Sequence, residues 1–153
     1  LGYLKEHARH LGVAGRCHFL PPVPFQELPE WTASADVGVQ LLQNTCLNHY
    51  TTDSNKLFEY AMAGLPVVAS DFPEIRRILE EWAFGVLVDP ADEKAVVQAL
   101  RRLAADEPLR RQMSTVAKQA ATMLDWSSQV PSLLHVYATV LQDRRKGGIV
   151  EAS

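Results

Sequence analysis

The residues best placed to do chemistry lie between Asp53 and Glu59. Asp53, Ser54 and Asn55 carry side-chain oxygens of the kind that accept from the unpaired N–H groups at a helix start. Residues 56–63 contain few helix breakers, and Gly64 can take the left-handed conformation that ends a helix. Free N–H groups and the positive end of the macrodipole make such a start favourable for an anion, a phosphate above all. Lys56, at the second or third helical position, opposes that dipole unless an anion is bound there. Glu59 follows one turn later, within reach of whatever carries the anion. The spacing predicts a phosphate cradle with a hydroxyl hook behind it. Each residue also has a plainer reading. Ser54 and Asn55 would cap any helix, and Glu59 and Lys56 would serve as solvated surface charges.

Periodicity supplies the elements that must hold this cluster. Leu1, Leu4, His7 and Leu11 have the spacing of a helix face, with Gly12 as its stop. Residues 16–20 predict a strand that leads into the stiff turn Pro21-Pro22-Val23-Pro24. Residues 25–35 predict a helix with Leu28 and Trp31 inward, and 36–42 a second strand. The polar stretch 43–52 lacks periodicity and reads as an exposed loop. Residues 66–70 form a short apolar run of the kind buried on both faces of a parallel sheet. Asp71 and Glu74 have capping-box spacing and open a helix to about Glu81. Residues 85–88 predict a fourth strand, with a helix from Asp89-Pro90 to Leu103 and another over 108–124. Val130, Leu133, Leu134, Tyr137, Val140 and Leu141 mark the last helix. Residues 1–143 read as one domain and 144–153 as a frayed tail. Alternating strands and helices predict an α/β fold with a mainly parallel sheet. Ligands of such sheets bind beyond the carboxyl ends of the strands. The loops after Leu20, Leu42 and Ser70 should therefore share one mouth.

Composition narrows the rest. A chain of 153 residues is long enough for one core, and a net charge of −3 offers no basic surface for nucleic acid. Cys17 and Cys46 have no paired spacing, and the five histidines have no metal-ligand spacing. A reducing, cytoplasmic setting is expected, with no metal and no cofactor. His49 beside Asp53 reads as part of a polar loop, with a catalytic pair as the alternative. Trp31, Trp82 and Trp126 are expected to anchor packing. The chain opens on Leu1 inside an amphipathic pattern, which predicts an excised piece of something longer.

The phrase NKLFEYAMAGLPVVASD, followed by PEI and GVLVDP, resembles the C-terminal domain of GT-B glycosyltransferases of the group 1, family 4 type. FLPPVPFQEL and ASADVGVQLL extend the likeness upstream in the right order, as does Trp126 before the last helix. The resemblance covers nearly the whole chain. It implies a Rossmann-like, nucleotide-sugar donor-binding domain that lacks the first two strands of the complete fold. It implies that Glu59 binds the ribose hydroxyls, and that the backbone of Ser54, Asn55 and Lys56, flanked by Asp53 and Leu57, faces the diphosphate. Pro22 and Val23 would form the wall against which the base lies. The family often has an earlier glutamate with seven residues between it and the ribose-binding one, where this chain has Thr51, and a glycine where it has Pro21.

The reaction so implied is transfer of a sugar from a nucleoside diphosphate donor with retention. The acceptor site would lie on a missing N-terminal domain, and that domain could bring the enzyme to a membrane surface. The chain alone should bind a donor weakly and transfer nothing. In the strand order 3-2-1-4-5-6 the absent strands would lie mid-sheet. The gap would then be filled by self-association or closed by rearrangement. Two rival readings remain: a non-catalytic Rossmann-like interaction module, and a dinucleotide-dependent dehydrogenase, although no GxGxxG is present.

Overall fold

The computed structural model describes residues 1–52 and 54–146. Its centre is a parallel sheet of three short strands: β1 (Gly38–Gln40), β2 (Val67–Ser70) and β3 (Gly85–Val88), in that spatial order. The register sets Gly38 against Val67 and Val67 against Gly85. Around it, in chain order, lie α1 (Gly2–His10), α2 (Leu28–Ala33), α3 (Leu47–Thr51), α4 (Asn55–Ala63), α5 (Pro73–Glu81), α6 (Glu93–Ala105), α7 (Glu107–Leu124) and α8 (Trp126–Lys146). The α/β, Rossmann-like expectation is borne out.

Strand alternation splits the core between the two faces of the sheet. Val67 and Ala69 point into one cluster, with Leu57 and Ala61 of α4, Ile75 and Ile78 of α5, and Ala117 and Ala120 of α7. Val68 and Val88 point the other way, onto Ala99 and Leu103 of α6 and Met113 of α7. All four residues of β2 are buried, as a central parallel strand requires.

Two contacts seat α4 on β1. The Tyr60 ring lies against Gly38, where an added Cβ would stand 2.6 Å from the ring. The Tyr60 hydroxyl donates to the Val39 carbonyl at 3.2 Å. Gly64 ends α4 with φ +70°; its own N–H returns to the Ala61 carbonyl and that of Leu65 to Tyr60, the stop its sequence predicts.

Several expectations are corrected. Residues 16–20 form no strand; a 3-10 turn at Ala14–Arg16 precedes an extended, unpaired run, so the sheet has three strands, not four. A strand needs a neighbour to satisfy its N–H and C=O groups, and among the described residues none pairs with this segment. Residues 43–52 are not all loop, because α3 occupies Leu47–Thr51. The helix expected over 25–35 shortens to α2, in which Leu28 is half-buried but Trp31 is exposed.

The capping box at Asp71 does not form. Phe72 is the N-cap, the Asp71 carboxylate pairs with Arg76, and Glu74 pairs with Arg77 at 3.0 Å. The next helix begins at Glu93, not at Pro90; Asp92 caps it, accepting from the N–H groups of Lys94 and Ala95. Leu1, Leu4 and Leu11 of the first helix face are exposed, and Ala8 is the residue that α1 buries. Trp82 does pack against the core, whereas Trp126 is 66% exposed. α8 runs to Lys146, and the remainder of the expected tail, 147–153, lies outside the described residues.

Candidate functional site

In a right-handed β–α–β crossover, the helix after a strand starts at that strand's carboxyl end. β1 ends at Gln40, and α4 starts at Asn55 above the same end of the sheet. Ser70, wholly buried at the end of β2, donates its hydroxyl to the Leu42 carbonyl at 2.7 Å. That bond holds the exit of β1 against β2 where ladder pairing has stopped. It fixes the floor beneath the helix start.

Ser54 stands at the N-cap of α4, and its hydroxyl makes no cap hydrogen bond. Among the described residues, the N–H groups of Asn55 and Lys56 have no acceptor. Both side chains are exposed, and Ser54 is half-buried. Among the described residues, two donors and the positive helix end are thus left together without an acceptor. Leu57 differs from its expected role. Its side chain is fully buried in the core and its N–H already donates to the Ser54 carbonyl at 3.0 Å, so it anchors the helix start. Asp53 lies outside the described residues.

Glu59 is half-buried and lines a groove of about 460 Å³ between α2 and α4. Phe25, Leu28, Pro29, Glu30 and Met62 share this groove, and among the described residues no cation borders it. Pro22 and Val23 do not line it; Pro22 is exposed, Val23 is half-buried, and Phe25 takes the wall position closest to them in sequence. Next to Glu59, burial raises the Tyr60 hydroxyl above its ordinary 10.0, and the Glu59 charge adds to that shift.

A second cleft, about 520 Å³, opens at the carboxyl ends of the strands. Gln43, Asn44, Thr45, Tyr50, Asp71 and Asp89 border it. Gln43 bridges it by donating to the Pro90 carbonyl at 3.0 Å, and Tyr50 packs on Phe72 with ring centroids 5.3 Å apart. One Asp71 oxygen pairs with Arg76, while the other is buried without a partner among the described residues. Sequence reasoning gave Asp71 a capping role and Asp89 a helix start, and missed both as cleft residues. The available signal was their position directly after buried strands, at Ser70-Asp71 and Val88-Asp89. His49 bonds to Thr45 across one turn, at 2.9 Å, so the described residues give it a local partner. Among the described residues, no group of three or more His, Cys, Asp or Glu stands together as a metal site.

The model of the family described as glycosyl transferases group 1 matches residues 2–106. The chain belongs to that family. The D-inositol 3-phosphate glycosyltransferase of Thermomonospora curvata is 36% identical over 138 residues, covering 88% of this chain and 30% of that protein. The phosphatidyl-myo-inositol mannosyltransferase of Mycobacterium leprae is 37% identical over 84 residues, covering 55% of this chain and 22% of its own.

Among solved structures, sucrose-phosphate synthase from Thermosynechococcus elongatus superposes with a TM-score of 0.79 at 19% identity, over 92% of this chain and 34% of that one. WaaG, a glycosyltransferase involved in lipopolysaccharide biosynthesis, gives 0.64 at 21% identity, over 80% and 31%. These likenesses show the GT-B Rossmann-like fold. The chain spans about 30% of the length of the curated relatives it matches. Membership of this family leaves the dehydrogenase reading without support.

Proposed function

We propose that this chain forms the nucleotide-sugar donor site of a group 1 glycosyltransferase that transfers the sugar with retention at the anomeric carbon. The observation that carries the reading is the order of groups along α4. N–H groups without an acceptor among the described residues stand at Asn55 and Lys56, and a groove-lining carboxylate follows one turn later at Glu59. A nucleoside diphosphate has the same order, phosphates and then a pentose with two adjacent hydroxyls. The helix end and Lys56 would hold the diphosphate, and Glu59 would accept from the ribose hydroxyls.

When the glycosidic bond to the diphosphate breaks, negative charge grows on the departing oxygens. Fixed N–H dipoles and the Lys56 ammonium stabilise that charge without reorganising. The donor sugar would extend from the helix start into the strand-end cleft, where Asp71 and Asp89 can accept from hydroxyls. A second domain closing on this mouth would carry the acceptor and exclude water.

Titration calorimetry with nucleoside diphosphates tests the reading. Glu59→Ala is expected to weaken binding about tenfold, since hydrogen bonds to a charged group are worth about 1.5–3 kcal/mol. Lys56→Ala is expected to weaken it by a smaller, salt-dependent factor. Binding that is indifferent to Glu59, or no binding of any diphosphate, overturns the donor reading and favours an interaction module.

A further inference from the structure

We infer that the groove between α2 and α4 selects guanine, with Glu30 accepting from the N1–H and the 2-amino group of the base. The inference rests on the donor reading above and concerns the part of the groove beyond Glu59. α4 rises about 1.5 Å per residue, so Met62 stands roughly 4–5 Å past Glu59 and about 10 Å past Asn55. A diphosphate at the helix start and a ribose at Glu59 therefore direct the base toward Met62.

α2 forms the facing wall. Ala33 and Ala63 together border the cavity at the opposite end of the sheet, so the carboxyl ends of the two helices are neighbours. Glu30 lies within the same groove as Met62, on the other wall. Around it the lining is mostly apolar, Phe25, Leu28, Pro29, Ala33, Met62 and Ala63, and the Thr32 hydroxyl is spent on the Leu28 carbonyl at 2.8 Å. Phe25 is 79% exposed and Met62 61%, large apolar surfaces left uncovered on opposite sides of a slot. Such walls suit the faces of a flat heterocycle.

Among the described residues, Glu30 makes no ion pair and no Lys or Arg lines the groove to neutralise it. A carboxylate accepts and does not donate. Guanine presents two adjacent donors, N1–H and the 2-amino group, which match its two oxygens. Uracil presents one N–H between two carbonyls that repel a carboxylate. Adenine sets a ring acceptor beside its amino group, with the same repulsion.

The test compares GDP with IDP, which lacks only the 2-amino group, and with UDP and ADP, by calorimetry on the intact chain. GDP is expected to bind about tenfold or more tighter than each of the others, the usual worth of a bidentate charged contact to a base. Glu30→Ala should make GDP and IDP bind alike, GDP losing more than IDP, which keeps the N1–H, and should leave UDP no weaker. Glu59→Ala should weaken every diphosphate by a similar factor. Equal affinity for GDP and IDP in the natural chain overturns the guanine assignment, as does an equal loss of GDP and UDP in Glu30→Ala. In both cases continued sensitivity to Glu59→Ala keeps the donor reading. Failure of all four diphosphates to bind overturns both.

Discussion

Glu59 and Gln40 show how the same backbone treats two polar side chains differently. Glu59 sits among core-facing neighbours yet borders a groove, so its carboxylate keeps access to a ligand. Gln40 is only 3% exposed, on the face of β1 that α4 covers, and neither amide atom has a partner among the described residues. A buried amide without partners costs about 1–3 kcal/mol. Gln40→Met, similar in volume, is therefore expected to raise the urea midpoint, with a gain of about 1 kcal/mol. A loss of stability would show instead that the amide is paired in solution.

Tyr60 gives a pH signature. Its folded value is raised, so the native state holds the phenol proton more tightly than the unfolded chain. The contribution is fully present below the unfolded value and disappears as pH rises through the folded one. Stability should fall above about pH 10, and Tyr60→Phe should shrink that alkaline decline in a pH series of thermal melts. At this scale the chemistry was legible where types cluster in sequence, as at Ser54, Asn55, Lys56 and Glu59. It was not legible for Asp71 and Asp89, which only strand packing brings to one cleft.

Among the elements, α4 and β2 follow directly from their sequence. A polar start, a breaker-free run, a glycine stop and a short apolar strand leave no competing fold for residues 54–70. The segment 16–20 has the side chains of a strand, but pairing is a property of two segments, and its partner is not adjacent. α3 escaped notice because a helix of one turn carries no hydrophobic period.

Caps were ambiguous for a related reason. Asp71, Asp89 and Asp92 all have the right chemistry, and tertiary geometry decides which of them reaches the free N–H groups. Asp92→Ala is expected to cost about 1 kcal/mol in denaturant unfolding, without altering ligand affinity. Gly85→Ala should cost more, about 1–3 kcal/mol. Its Cβ would stand 2.8 Å from the Val67 carbonyl oxygen in the neighbouring strand, and a central backbone cannot retreat. A Gly85→Ala variant as stable as the natural chain would contradict the register between β2 and β3.

For the whole molecule, the sheet places the groups with a proposed role at its carboxyl end, along α4 and, for Glu30, on the facing wall of α2. α4 is clamped by the Tyr60 contacts at β1 and by its packing against α7, so the N–H groups at its start hold a fixed position. α8 leaves Leu134, Val136, Tyr137 and Leu141 exposed, and none of the described helices is long and apolar enough to cross a membrane. Architecture was readable because strand and helix patterns alternate; the strand count was not, because it depends on which segments find neighbours.

The central claim, that the start of α4 receives a diphosphate and Glu59 the adjoining pentose, is tested most directly by amide NMR during a GDP titration. Saturable shifts should be largest at the backbone N–H groups of Ser54, Asn55 and Lys56, with a second set around Glu59. Shifts confined to the strand-end cleft near Asp71 and Asp89, or none at all, would contradict it.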